Sequence, residues 1–195
     1  MPRRCFDKSF YDHYYRNPRT RVATRSGAEN LGRFVCCYLK HIGQPVTRVL
    51  DVGCGLGLWK DVIRRHFRQA DYTGVEVSPY LCRQSGWEEG SVVDYKANDP
   101  FDFAICQSVL QYLTAADARR AIRNLARLCE GALFLEVLTQ EDWQNNADQS
   151  VTDGDVYLRE ADWYRRELDG HFTNCGGGIF LSPRSPAVLY ELEKP

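Results

Sequence analysis

No stretch of this chain approaches the ~20 consecutive apolar residues that a membrane-spanning helix requires, so no membrane partner is expected. Nor is there a basic excess: 25 Lys and Arg stand against 26 Asp and Glu, a formal net charge of -1. Duplex nucleic-acid binders ordinarily carry a strong positive surplus, which argues against DNA as a partner. The 8 cysteines (Cys5, Cys36, Cys37, Cys54, Cys82, Cys106, Cys129 and Cys175) include no Cys-x-x-Cys pair and no Cys/His cluster with zinc spacing. No metal is therefore expected. Most of these thiols sit inside apolar patterns as small hydrophobes, and reduced thiols in a cytoplasmic protein are the expectation. The basic start Met1-Pro2-Arg3-Arg4 lacks the apolar stretch of a signal peptide. No repeat, low-complexity tract or linker divides the 195 residues, a length suited to one domain.

What is present is an alternation of strand and helix patterns. Residues 1–25 are aromatic and basic and read as an arm or short helix. A helix follows over 27–42, with Ser26 and Glu29 as a capping box and Gly43 as its stop. Its apolar face is Leu31, Phe34, Val35, Tyr38, Leu39 and Ile42. Strands are expected at 48–52, 72–77, 91–93, 101–106 and 132–137, the last released by Gly131. Helices are expected at 58–67, from Ser78-Pro79 to Gly86, at 115–129 behind a Thr114/Asp117 cap, and at 161–168. Residues 140–157 read as a polar loop insertion. Two final strands, 171–181 and 187–193, read as a hairpin-type pair. Alternating strands and helices argue a parallel α/β sheet, and the terminal pair an antiparallel strand at its edge.

The chemistry is concentrated in Val49-Leu50-Asp51-Val52-Gly53-Cys54-Gly55-Leu56-Gly57. Glycines in a strand-to-helix turn permit positive φ and let backbone approach a ligand closely. The helix that follows offers unpaired N–H groups and a positive dipole end. The spacing is Gly-x-Gly-x-Gly, unlike the Gly-x-Gly-x-x-Gly of dinucleotide binders. A second marker is Glu76 at the end of the next strand, where a carboxylate accepts from ribose hydroxyls.

These residues resemble the class I S-adenosylmethionine-dependent methyltransferases, at Leu50–Gly57, at Gly74-Val75-Glu76-Val77-Ser78 and at Phe101–Leu113. The resemblance implies a Rossmann-like three-layer α/β/α sandwich, its seven-stranded sheet mostly parallel with one antiparallel strand near the C-terminal edge. It implies S-adenosyl-L-methionine as cofactor. Asp51, Gly53, Cys54, Gly55 and Gly57 would then lie at the methionyl side and Glu76, with Val77 beside it, on the ribose. Val93 and Asp94 would hold the adenine, and Gln107 the methionyl amine. The family's usual histidine after Val109-Leu110 is Gln111 here. The signature of enzymes that methylate DNA-base amines is absent after the fourth strand.

Each marker has a plainer reading beside it. A glycine turn can be structural, and Glu76 or Asp94 alone can be solvated carboxylates. Tyr11, His13, Tyr14 and Tyr15 read equally as a lid over cofactor and acceptor or as an arm packed on the first helix. Within that pair of readings, His13 and Tyr14 are the catalytic candidates, and Tyr11, Tyr15 and Trp143 the substrate-binding ones. A hydroxyl acceptor needs a base, which His13 or a carboxylate from 136–142 can supply. Tyr14 or Trp59 can face the sulfonium. The expected activity is methyl transfer to a small-molecule acceptor. The alternatives are a protein or RNA acceptor docked on Arg16, Arg19, Arg21 and Arg25, or cofactor binding without catalysis. Oligomeric state leaves no mark in the pattern.

Overall fold

Side-chain alternation along each strand sends one set of residues to each face of a central sheet. The computed structural model describes residues 6–193. Its strands are β1 (Arg48–Val52), β2 (Asp71–Glu76), β3 (Glu88–Glu89), β4 (Phe101–Gln107), β5 (Cys129–Glu136), β6 (Thr173–Asn174) and β7 (Ile179–Leu181). They lie in the order β3-β2-β1-β4-β5-β7-β6. The first five run parallel, and β7 lies antiparallel between β5 and β6. This is the expected Rossmann-like sheet.

Seven α-helices accompany it among the described residues: α1 (Lys8–Tyr11), α2 (Arg25–His41), α3 (Leu58–His66), α4 (Pro79–Ser85), α5 (Ala115–Leu128), α6 (Gln140–Asn145) and α7 (Ala161–Leu168). One sheet face presents Val49, Phe103, Ile105 and Phe134 to Val35 and Leu39 of α2 and to Val62 and Ile63 of α3. The other presents Leu50, Val52, Ala104 and Leu133 to Ile122 and Leu125 of α5 and to Leu168 of α7. Each Val, Leu, Ile or Phe among them contributes about 1.5–3 kcal/mol when fully withdrawn from water. From β1 the chain builds outward through β2 and β3, then crosses back to β4. The loops after β1 and β4 therefore face one another at the carboxyl ends of the strands, where open α/β sheets bind ligands.

Several local expectations are corrected. Helix α2 starts two residues early, with the Thr24 side chain accepting from the Gly27 N–H at 3.0 Å in place of a Ser26/Glu29 box. Phe34 is half exposed instead of core, and its ring lies under Gly177. Strand β3 is Glu88–Glu89, paired to Val75 and Glu76. Residues 91–95 instead form a turn, closed by Tyr95 N–H to Ser91 C=O at 2.8 Å, that plugs Val92 into the core. Gly131 lies inside β5, where a Cβ would sit 2.0 Å from the Asp102 carbonyl oxygen; close backbone approach, not release of the strand, requires glycine there.

The 140–157 insertion begins with α6, whose first turn is capped by Thr139. The C-terminal hairpin is contained in the first of the two expected strands. Gly176, Gly177 and Gly178 all have positive φ and form the turn between β6 and β7. Residues 187–193 are irregular, with a 3-10 turn at Glu191–Glu193. The described cysteines are free thiols; Cys5 and the basic start lie outside the described residues. No described helix is long and apolar enough to cross a membrane.

Candidate active site

The turn after β1 is built by glycine. Gly53, Gly55 and Gly57 take φ of +70°, +51° and +73°, the left-handed region that side chains disfavour. The N–H groups of Gly53 and Cys54 both reach Val75 C=O, at 2.8 and 3.2 Å, and Gly57 N–H returns to Cys54 C=O at 2.8 Å. Gly55 N–H donates to Glu76 Oε2 at 2.9 Å. These four donors are engaged within the protein. The loop therefore shapes a hollow by close backbone approach, its own N–H groups being spent within the protein.

A cleft of about 720 Å³ opens between this turn and the loop after β4. Such a volume suits a cofactor-sized ligand. Of the expected site residues, Asp51, Gly53, Cys54, Gly55 and Gln107 line it from the sheet, and Tyr14 and Tyr15 from the arm. Asp51 is buried and accepts the Tyr72 hydroxyl. Burial pushes its carboxyl up to about 7, against the opposing hydrogen bond from Tyr72 and with help from the charge of Glu76. Gln107 is clamped at both ends: Trp59 Nε1 donates to its Oε1 at 2.8 Å, and its Nε2 donates to Glu136 Oε1 at 3.1 Å. Trp59 also lines the cleft, with its ring against Phe134 at 5.1 Å between centroids.

Glu76 is 3% exposed and stands outside the cleft lining. Its Oε1 accepts the N–H groups of Val77 at 2.8 Å and Ser78 at 3.0 Å. Tyr11 covers it. That tyrosine is buried and lies over Gly55; burial first, then the Glu76 charge, hold its hydroxyl far above the usual range. The arm thus packs on α4 and the glycine turn, in a cluster of Phe10, Tyr11 and Leu81, not on the first long helix. Arg16 fastens it there, donating to Asp12 at 2.8 Å, the Tyr80 hydroxyl at 2.9 Å and Gln84 at 3.0 Å.

The remaining candidates lie apart. Gly57 caps α3 with its Cα against the Trp87 ring. Val77 is 44% exposed. Val93 packs against the core from the 91–95 turn, and Asp94 beside it is exposed. His13 is exposed, edge-on to Tyr14, and is not in the cleft wall. Trp143 packs against Gly154, while its neighbour Asp142 faces the cleft.

Two features of the site escape sequence reasoning. Asp153 is buried in the cleft wall, accepting the Tyr112 hydroxyl at 3.1 Å and the Tyr14 hydroxyl at 3.5 Å. Its tyrosines are 41 and 139 residues away, so no local spacing signals the group. Tyr72, the partner of Asp51, sits across the sheet on β2 and is equally silent in the pattern.

The cradle fits an adenosyl amino acid. It combines a glycine turn in left-handed backbone, the buried acid Asp51 in the cleft lining, and Glu76 buried behind the turn on the Gly55 N–H. A family model described as a methyltransferase domain matches residues 9–184. Trans-aconitate 2-methyltransferase of Pseudomonas aeruginosa is 25% identical over 154 residues, spanning 75% of this chain and 49% of that protein. A ubiquinone biosynthesis O-methyltransferase of Coxiella burnetii is 30% identical over 120 residues, spanning 52% of this chain and 50% of its own. The chain thus spans about half the length of these curated relatives. The solved structure of magnesium protoporphyrin IX methyltransferase from Synechocystis PCC 6803 with bound SAH superposes with a TM-score of 0.64 at 17% identity, over 92% of this chain and 96% of that one. DesVI of Streptomyces venezuelae gives 0.60 at 15% identity, over 82% and 92%. At these identities the two structures speak to the fold.

Proposed function

Since the chain belongs to the class I S-adenosylmethionine-dependent methyltransferase-domain family, we propose that it transfers a methyl group from S-adenosylmethionine to a small-molecule acceptor. The observation that carries this reading is the convergence of Asp51, the Gly53–Gly55 turn and Gln107 on one cleft. Bound there, the cofactor supplies a methyl group already activated on a sulfonium sulfur, so the protein's part is alignment and exclusion of water.

Each residue has a task in that reading. Glu76 takes the ribose hydroxyls once Tyr11 yields its place. Asp51 and Glu136 set a negative field along the cleft, suited to a cationic centre. Trp59, held by Gln107, offers an aromatic wall. Where the acceptor must lose a proton, Glu136 lines the cleft and His13 does not, which favours the carboxylate as base. The relatives support a small acceptor through their names, which refer to trans-aconitate, ubiquinone biosynthesis and magnesium protoporphyrin IX. Arg16 of the arm is spent on Asp12, Tyr80 and Gln84, which weakens a role in docking RNA or protein.

Calorimetric titration with S-adenosylmethionine and its demethylated product tests the binding half. Incorporation of labelled methyl into a panel of metabolites, RNA and protein tests the transfer half. Incorporation into RNA alone rejects the small-molecule acceptor, and binding without incorporation rejects catalysis.

A further inference from the structure

Gln111 stands on the 3-10 turn Leu110–Tyr112, directly after β4. It is 5% exposed and lines the cleft, yet its side-chain oxygen Oε1 is buried with no hydrogen-bond partner. A buried carbonyl oxygen left without a donor carries a desolvation penalty, and native proteins rarely keep one unless something else supplies the donor. Its position is not slack. The backbone carbonyl of Gln111 accepts the Tyr157 N–H at 2.7 Å, which ties the turn to the segment following Asp153.

The surrounding wall tells what that donor carries. Glu136, Asp142 and Asp153 line the same cleft, and among the described residues no Arg, Lys or His does. The amide of Gln107 is occupied by Trp59 and Glu136. The hydroxyls of Tyr14 and Tyr112 point to Asp153. A hydrogen bond from Thr139 holds Asp142 below the usual carboxylate range, so it is charged at neutral pH. The charged groups of the wall are therefore all carboxylates, set among the neutral Thr24, Ser108, Asn146 and Thr152. A ligand that brings carboxylates meets repulsion, and one that brings N–H donors on a cationic group meets complements.

We propose that Gln111 is the specificity-determining residue of this cleft, and that it selects an acceptor molecule bearing an amine or ammonium group instead of a polycarboxylate. The inference rests on the methyl-transfer reading and names the substrate class of that same site.

The test uses the full chain and separates the two levels. SAH binding is measured first by calorimetry. Ligand-observed saturation-transfer NMR on the SAH-loaded protein then compares D-glucosamine, as an amine, with tricarballylate, as a tricarboxylate. Binding of glucosamine and silence from tricarballylate are expected. Gln111→Leu is expected to weaken glucosamine binding roughly tenfold while leaving SAH affinity unchanged, and Gln111→Glu, which keeps an acceptor oxygen, to retain it. If the leucine variant fails to bind SAH, the glutamate variant decides alone, since its loss of the amine overturns the proposal. So do tricarballylate binding as well as glucosamine, neither probe binding, or glucosamine binding that survives in Gln111→Leu. Failure of the wild type to bind SAH strikes instead at the methyltransferase reading beneath.

Discussion

Glu76 and Gly55 are joined across the glycine turn: the carboxylate on β2 accepts the backbone N–H at 2.9 Å. With its bonds from Val77 and Ser78, the acid holds the loop's shape, and in the proposed reading it also receives the ribose. Glu76→Ala should therefore weaken S-adenosylmethionine binding by about 1.5–3 kcal/mol, the worth of charge-assisted bonds. It should also lower the melting temperature, because three backbone donors lose their acceptor. Calorimetry that returned an unchanged affinity would remove Glu76 from the site.

Cofactor binding should tighten as pH rises from 6 to 8. Asp51 has a folded pKa of about 7, above its unfolded value of about 3.9. Its contribution to stability is thus greatest at low pH and is lost as pH climbs between those two values. A cationic ligand prefers the ionised form, so binding gains where stability loses. Asp51→Asn should flatten that pH dependence. Tyr72→Phe removes the hydrogen bond that favours ionisation and should move the midpoint to higher pH. Isothermal titrations across the range decide; a midpoint unmoved in Tyr72→Phe would contradict the assignment.

In the proposed reading Tyr11, buried over Gly55 beside Glu76, competes with the ribose hydroxyls for that acid. Tyr11→Phe keeps the packed ring and deletes the competing hydroxyl, so cofactor affinity should rise roughly threefold to tenfold. Weaker or equal binding in the variant would mean that the hydroxyl assists the ligand.

Gly53→Ala should cost about 1–3 kcal/mol of stability, from left-handed backbone strain and crowding together. A Cβ there would stand 2.4 Å from Cγ2 of Val109. Adding Val109→Ala should restore part of the loss, which thermal melts of the single and double variants can read. A double variant no better than the single would place the whole penalty in the backbone.

What the chain announces locally, its sequence makes legible. Arg48–Val52 is a short apolar run ending in glycines, and Ser78, Pro79 and Gly86 mark both ends of α4 within a few residues. The misread segments are those whose state depends on distant partners. Ser91-Val92-Val93 looks like a strand, but Glu88–Glu89 takes the available edge of β2 and leaves Val92 to fill the core from a turn. The run Gly176–Gly178 looks like a break within one strand, yet its three positive φ values reverse the chain. The site divides in the same way. Asp51, Gly53, Gly55 and Gln107 follow from motif and register. The Asp153 carboxylate with its two tyrosines, the Tyr72–Asp51 contact and the orphaned oxygen of Gln111 exist only after tertiary packing, and no spacing encodes them.

The two outermost strands, β3 and β6, are each two residues long. A neighbouring molecule approaching the flank at β3 would meet the side chains of Glu88 and Glu89, which pair only with Val75 and Glu76 of β2. Long exposed flanks are where sheets recruit foreign strands and begin to aggregate. Here the most apolar strands, β1, β4 and β5, are shielded by position.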